Sequence, residues 1–284
     1  MDQLLASLVD GLLLGFVYGM AAMGLSLIWG VMRVINLSHG AIMALGMFAS
    51  YLLFTVLGLN PYLGLIVVAG LGLLFGFLVY GVAVHRVINA PPLSSLLVTF
   101  AVNMIIIGVG TAVFTTSPRN IDFEVASFRL GPLIVQGSRL IAALVTIATT
   151  MALYLFLYRT YPGKSIRAVA NNRASAELMG ISSARVLALS FGIGTMLAAL
   201  AGGLISTFFP FTILSGDSYQ PRSFVICVLG GLGDPLGALI GGLILGTMEG
   251  LIPILIPVSW VPVVEFVLFV LMLLIRPRGL LGAR

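Results

Sequence analysis

The sequence predicts an all-α fold: a polytopic membrane helical bundle of about eight or nine transmembrane segments, N-terminus outside and C-terminus cytoplasmic. Three observations carry that expectation. Of 284 residues, 60% are hydrophobic and 8% are charged, and the mean hydropathy is +1.18. The apolar residues form long continuous runs, not the short alternating strands of a membrane β-barrel. The basic residues gather at the ends of those runs. No soluble domain covers so much apolar surface.

In order, the runs are Leu4 to Ile28, Ala41 to Leu57, Tyr62 to Val84, Leu93 to Phe114, Leu140 to Tyr158, Val186 to Phe209, Phe224 to Leu232, Leu236 to Ile256 and Val261 to Ile275. Most match the roughly 20 residues a helix needs to cross the hydrocarbon core. Met1-Asp2-Gln3 carries no positive n-region, so the first run reads as a permanent helix, not a cleaved signal. The whole chain, 1–284, reads as one membrane domain with a polar insert at 159–185.

Orientation follows from charge. Arg33, Arg86, the insert's Arg159, Lys164, Arg167, Arg173 and Arg185, then Arg276, Arg278 and Arg284 share one side if the first helix runs inward. The other side holds Arg119, Arg129, Arg139 and Arg222. The excess favours a cytoplasmic insert and requires an odd number of crossings. Either the Phe224 run crosses as a short, broken helix, the favoured reading, or a neighbouring span is misassigned; the breaker-rich turn Gly230-Gly231-Leu232-Gly233-Asp234-Pro235 reads equally as irregular backbone buried in the bundle or as an ordinary loop between two helices. Thr115 to Ser138 reads as a loop capping the outer mouth.

Within the insert, Pro162-Gly163 is expected to end the preceding span and Ser165 to cap a helix from Ile166. Arg173 and Glu177 are spaced to pair on one exposed face. Gly180 suits a left-handed stop, and Ser182 suits a cap on the next span. Ala174, Leu178 and Met179 make a small apolar face. A solvated connector that only sets topology is the competing reading.

Small residues recur every fourth position at Gly11, Gly15, Gly19 and at Gly242, Gly246, Gly250, with Ala198 and Gly202 a further pair. Such stripes let helices approach closely in lipid. Polar residues inside spans are fewer: Glu249 lies deep in its run and Glu265 near the start of the last one, at the interface or within. Asn103 is a candidate for a bond across helices, and His39, after Asn36 and Ser38, for a local cap. Cys227 reads as a small packing residue.

Four stretches add a resemblance. Arg167-Ala168-Val169-Ala170-Asn171-Asn172-Arg173-Ala174-Ser175-Ala176-Glu177-Leu178-Met179-Gly180-Ile181 resembles the coupling-helix motif of ABC importer permeases, more narrowly those for branched-chain amino acids. Ile35-Asn36-Leu37-Ser38-His39-Gly40, the Val228 to Gly242 stretch and Arg276-Pro277-Arg278-Gly279-Leu280-Leu281-Gly282 are similar to segments of that family in the same order. The resemblance implies a bacterial plasma-membrane protein working with a second permease (homologous or a copy of itself), two cytoplasmic ATPases and an external substrate-binding protein. It implies that Leu178, Met179 and Ile181 give the apolar docking contact and Arg167, Arg173 and Glu177 its polar rim, with Ala174 and Gly180 completing the motif. Ser175 stands where an acid is common in the family, which leaves the docking chemistry open. For the pathway, the candidates are Asn36, His39, Asn103, Gly233, Asp234 and Glu249, with the helix start at Asp234 offered to a substrate carboxylate.

Other chemistry is not expected. Gly163-Lys164-Ser165 suggests a phosphate-binding loop, but Tyr158 stands where its first glycine belongs, so any ATP is used by partner subunits and no cofactor is bound by this chain. One Cys and two distant His make no metal cluster. No nucleophile motif is present, so the chain is not expected to be an enzyme, and the edge-clustered charge does not point to nucleic acid. Two alternatives stay open: a stand-alone ion-coupled secondary transporter using Glu249, and an ABC permease for urea or short amides.

Overall fold

The computed structural model describes residues 2–123, 125–130, 133–276 and 279–281. Arg278 and Arg284 of the charge count, and Pro277 and Gly282 of the C-terminal resemblance, lie outside the described residues. Helix α1 (Asp2–Met32) is the longest, at 31 residues. A non-helical segment, 33–38, which ends in a turn, leads to α2 (His39–Leu57). Gly58 closes α2 with φ +63°, and Asn60 opens α3 (Pro61–Val79) by accepting from the Tyr62 amide at 2.9 Å. These caps explain why so short a link suffices. A π-helical turn, Tyr80–Val84, carries α3 into α4 (His85–Val87), so the span is continuous over Pro61–Val87. Then come α5 (Pro92–Phe114), a small hairpin of β1 (Phe128–Leu130) and β2 (Leu133–Val135), and α6 (Gly137–Arg159). The insert holds α7 (Tyr161–Asn171) and α8 (Arg173–Leu178). The last part comprises α9 (Ser183–Ile205), α10 (Gly216–Gly230), α11 (Pro235–Leu255) and α12 (Val261–Ile275).

Eight of these helices, counting Pro61–Val87 once, are long and apolar enough to span a membrane. α1 and α9 form the centre: 89% and 83% of their apolar windows are buried, against 17% for α5 and 11% for α12. The outer helices present Ile66, Leu74, Leu97, Ile105 and Leu274 outward, as a lipid-facing surface requires.

The predicted glycine stripes meet each other. α1 and α11 run antiparallel with Gly11 against Gly246 and Gly250, Gly15 against Gly242 and Gly19 against Leu239. A Cβ on Gly15 would lie 2.7 Å from the Gly242 carbonyl oxygen. Lipid offers little hydrophobic drive for helix association, so backbone proximity of this kind supplies dispersion contact that side chains would prevent. At the far end Gly30 meets Gly233, which places the α10–α11 turn beside the C-terminus of α1.

That antiparallel seam also orders the two faces. Leu280 and Leu281 donate backbone hydrogen bonds to Leu229 (2.9 Å) and Gly230 (3.0 Å), at the end where α1 finishes. The last described residues therefore lie on the insert's face of the bundle, opposite the start of α1, as an odd number of crossings demands. The short crossing is α10, 15 residues or about 22 Å long. It starts earlier than the Phe224 run, at Gly216, and a non-helical segment from α9 completes its path: Phe211 pairs backbone to backbone with Arg119, and Ile213–Ser215 makes a 3-10 turn. The loop expected over Thr115 to Ser138 contains the hairpin, a minor departure from a purely helical chain.

Candidate coupling and translocation sites

The insert folds differently from its sequence reading at its start. The break falls at Thr160, whose hydroxyl accepts from the Gly163 amide at 3.2 Å, and Pro162 sits in the first turn of α7. Proline belongs there because first-turn amides have no helical partner to lose. Ser165 is no cap; its hydroxyl donates to the Tyr161 carbonyl at 3.0 Å. Buried Ile166 and Val169 anchor α7 against the bundle.

The sequence predicts one surface helix here, and the structure has two. Asn172 ends α7 and caps α8, accepting from the Ser175 amide at 3.0 Å. Arg173 and Glu177 pair at 3.2 Å on the exposed side, and Arg173 also donates to Asn89 at 3.1 Å, tying the insert to the end of α4. Gly180 takes φ +81°, the left-handed stop. Ser182 occupies the cap position of α9 without a side-chain cap bond.

The motif residues divide in three. Leu178 and Met179 are 88% and 83% exposed at the tip, and Ala174 is exposed on the same short helix. Ile181 is half-buried and donates its amide to Ala176 at 3.1 Å, so it faces the fold more than a partner. Arg167 also turns back: its Nε donates to the Leu157 carbonyl at 3.0 Å and its guanidinium lies 4.2 Å from the Tyr158 ring centroid. It braces α7 on α6 while remaining exposed.

Asn36 and His39 are fully buried where 33–38 enters α2. Asn36 Oδ1 accepts from the Ser38 amide (3.1 Å) and hydroxyl (2.6 Å); His39 Nε2 lies 2.9 Å from the Ala21 carbonyl of α1. His39 is thus a bridge to α1, not a local cap. Gln220 of α10 joins this knot, accepting from the Gly40 amide (2.7 Å) and donating to the Asn36 carbonyl (3.2 Å). Gly40 and Gly216 touch backbone to backbone, so α2 and α10 both begin inside the bundle at one crossing. Thr99 of α5 closes the knot by donating to the Ile35 carbonyl at 3.1 Å, and Asn103 is buried one turn further along.

Gly233 and Asp234 lie apart from that knot, at the insert's face. Gly233 donates to Ser26 at 3.2 Å, and the Asp234 carboxylate accepts from the Leu236 (2.9 Å) and Gly237 (3.3 Å) amides. The helix start offered to a substrate carboxylate is therefore occupied by the chain's own. A cavity of about 820 Å³ opens here, lined by Arg33, Tyr154, Tyr158, Arg167 and Asp234.

Glu249 belongs to a cluster that the sequence did not assemble. Arg222, counted as a membrane-edge residue, is instead inside the bundle: its guanidinium lies 3.4 Å from Glu249, 3.5 Å from Glu265 and 3.1 Å from the Tyr18 hydroxyl. Glu265 is buried at 5% exposure, within the bundle and not at an interface. The polar stretch before Phe224 looks like a loop in sequence. The available signal was the pair of intramembrane acids, which require a cation nearby. This cluster flanks a second cavity of about 550 Å³ at the N-terminal face.

Comparison with known proteins agrees with this architecture. Residues 7–275 match the family described as the permease component of branched-chain amino acid transport systems. The chain is 31% identical to the high-affinity branched-chain amino acid transport system permease protein LivH of Salmonella typhimurium, over 98% of this chain and 95% of that protein. It is 30% identical to LivH of Escherichia coli and 29% identical to BraD of Pseudomonas aeruginosa, with the same coverage. A shorter likeness, 27% over 38% of this chain, links it to the ribose import permease RbsC of Bacillus subtilis. A bundle with eight membrane-length helices, a two-helix insert and this match along nearly its full length lead to one assignment: the chain belongs to the family of branched-chain amino acid ABC importer permeases and is a multi-pass membrane protein.

Proposed function

We propose that the chain carries branched-chain or related amino acids inward across a bacterial plasma membrane. The insert faces the cytosol and is driven by two ATP-binding subunits; a second permease and an external binding protein complete the machine. The chain itself does no bond chemistry. The observation that carries this reading is the tip of α8. Leu178 and Met179 are almost fully exposed at the end of a short helix tied to the bundle by Arg173, next to α7, which Arg167 braces on α6. A soluble-facing helix that leaves two large apolar side chains bare suits a partner's cleft. Thrust on that tip reaches α6 and α9 through α7, and rocks them in alternating access.

An ion-coupled carrier using Glu249 has less support, because residues 7–275 match the permease component of a branched-chain amino acid transport system. The test is the double substitution Leu178→Asp, Met179→Asp. Charge placed in an apolar cleft costs too much for docking, so the ATPase is expected to be lost on co-purification while membrane insertion and the melting temperature are unchanged. Undiminished co-purification sinks the docking assignment. Leucine uptake by the reconstituted complex tests the cargo.

A further inference from the structure

The cavity at the N-terminal face has a lining that the docking and gating elements do not explain. It lies between α1, the start of α6, α10, the end of α11 and the turn before α12. Four charged residues line it: Asp10, Arg139, Arg222 and Glu249. They form two ion pairs, Arg139 with Asp10 and Arg222 with Glu249, each at 3.4 Å. Glu265 stands behind Arg222 at 3.5 Å. Three acidic side chains thus stand against two guanidiniums.

Several buried atoms of this group have no hydrogen-bond partner among the described residues: Glu249 Oε2, Glu265 Oε1 and Arg139 Nε. Buried polar atoms are nearly always partnered, and two long ion pairs use only part of their donors and acceptors. Apart from Ser7 and Ser259, the rest of the wall is apolar or glycine, including Leu14, Pro253, Val258 and Val261. A volume near 550 Å³ lies within the range of small-molecule sites.

We infer that this cavity is a binding site within the permease for a small zwitterion bearing a primary ammonium: the ammonium meets Glu249, the carboxylate meets Arg139, and the apolar wall takes the aliphatic side chain. The inference rests on the amino-acid cargo proposed above and adds a site to it. The surplus acid and the unpartnered Glu249 Oε2 make the ammonium the indispensable group. Arg222 and Glu265 are positioning residues: Arg222 pairs with Glu249, and Glu265 holds the Arg222 guanidinium from behind.

The test uses the complete transporter in lipid nanodiscs without the external binding protein, read by saturation-transfer NMR, which detects weak ligands. The probes are L-leucine, isopentylamine (no carboxylate) and isovalerate (no ammonium). Leucine and isopentylamine are expected to give saturable signals and to displace each other, while isovalerate gives none. Glu249→Gln should weaken both by about ten- to a hundredfold, the loss of one charge-assisted bond. Glu249→Asp should restore part of it. Arg139→Gln should weaken leucine to the level of isopentylamine and leave the amine unchanged. Should Glu249→Gln fail to assemble, the displacement pattern in the unaltered complex still decides.

Isovalerate binding as well as the amine, or leucine binding unaltered by Glu249→Gln, would overturn the site and reduce the cluster to a pin between helices. No saturable leucine signal in a complex that imports leucine with its binding protein also overturns it, and leaves the import reading intact. Ammonium-dependent binding in a complex that imports no amino acid supports the site and removes the import reading.

Discussion

Gly15 and Gly242 meet backbone to backbone, with room for no side chain between them: a Cβ on Gly15 would come within 2.7 Å of the Gly242 carbonyl oxygen. The obstacle is rigid, since it is main chain and not the end of a flexible side chain. Gly15→Leu is therefore expected to force α1 and α11 apart and cost about 3 kcal/mol, at the upper end of overpacking effects. Thermal melting of the purified protein in detergent measures it. Gly70→Leu, where nothing lies within 4 Å, is the control and should melt like the parent.

Arg222 is the cation nearest two intramembrane carboxylates. Arg222→Met leaves both acids without it, and breaking a buried pair from one side costs about 3–5 kcal/mol. A large drop in melting temperature or failure to accumulate in the membrane is expected. Adding Glu249→Gln and Glu265→Gln to the same chain should recover most of the loss, because the uncompensated charges are removed. A triple variant no better than Arg222→Met would show that packing, not charge, dominates.

Asp234 caps α11 through two backbone amides. Asp234→Ala is expected to cost about 1 kcal/mol and Asp234→Asn a few tenths, because asparagine is as good an N-cap. Hydrogen exchange at Leu236 and Gly237 should report the fraying directly. Equal exchange in both variants would mean that the turn, held by Gly233 on Ser26, needs no cap.

Gly180 holds a left-handed backbone in open space, at φ +81°, and a Cβ there would meet nothing within 4 Å. The penalty for a side chain is thus conformational alone. Gly180→Val should cost more than Gly180→Asn, since asparagine tolerates this region and β-branched residues do not. If the α8 tip docks the ATPase, Gly180→Val should also lower ATPase co-purification while Gly180→Asn retains it.

The run of Val261 to Ile275 matches α12 residue for residue, and Leu93 to Phe114 misses α5 by one. Membrane helices are legible in sequence because the bilayer imposes one rule, continuous apolar length, with no need of a partner. What needs a partner is not. Each glycine stripe is visible alone, but nothing in a four-residue period says that Gly15 faces Gly242. Arg222 looks like a boundary because a lone arginine in a polar stretch usually is one; its acids lie 27 and 43 positions further on (249 − 222 and 265 − 222). In the insert, Pro162 reads as a terminator, whereas Thr160 makes it the opening of α7. The exposed motif residues Leu178 and Met179 are legible because exposure there follows from local helix geometry. The contact of Arg167 with α6 and the half-burial of Ile181 depend on the tertiary fold and are not.

The α1–α11 seam has a consequence for biogenesis. α1 leaves the ribosome long before α11, and until α11 follows, its glycine face lacks that mate. At ordinary translation rates that delay is on the order of ten seconds or more, during which lipid or an insertase must shield Gly11, Gly15 and Gly19. Assembly of this protein is thus closed like a clasp, by the late arrival of α11, and a chain stalled before Pro235 would leave α1 available to capture the wrong neighbour.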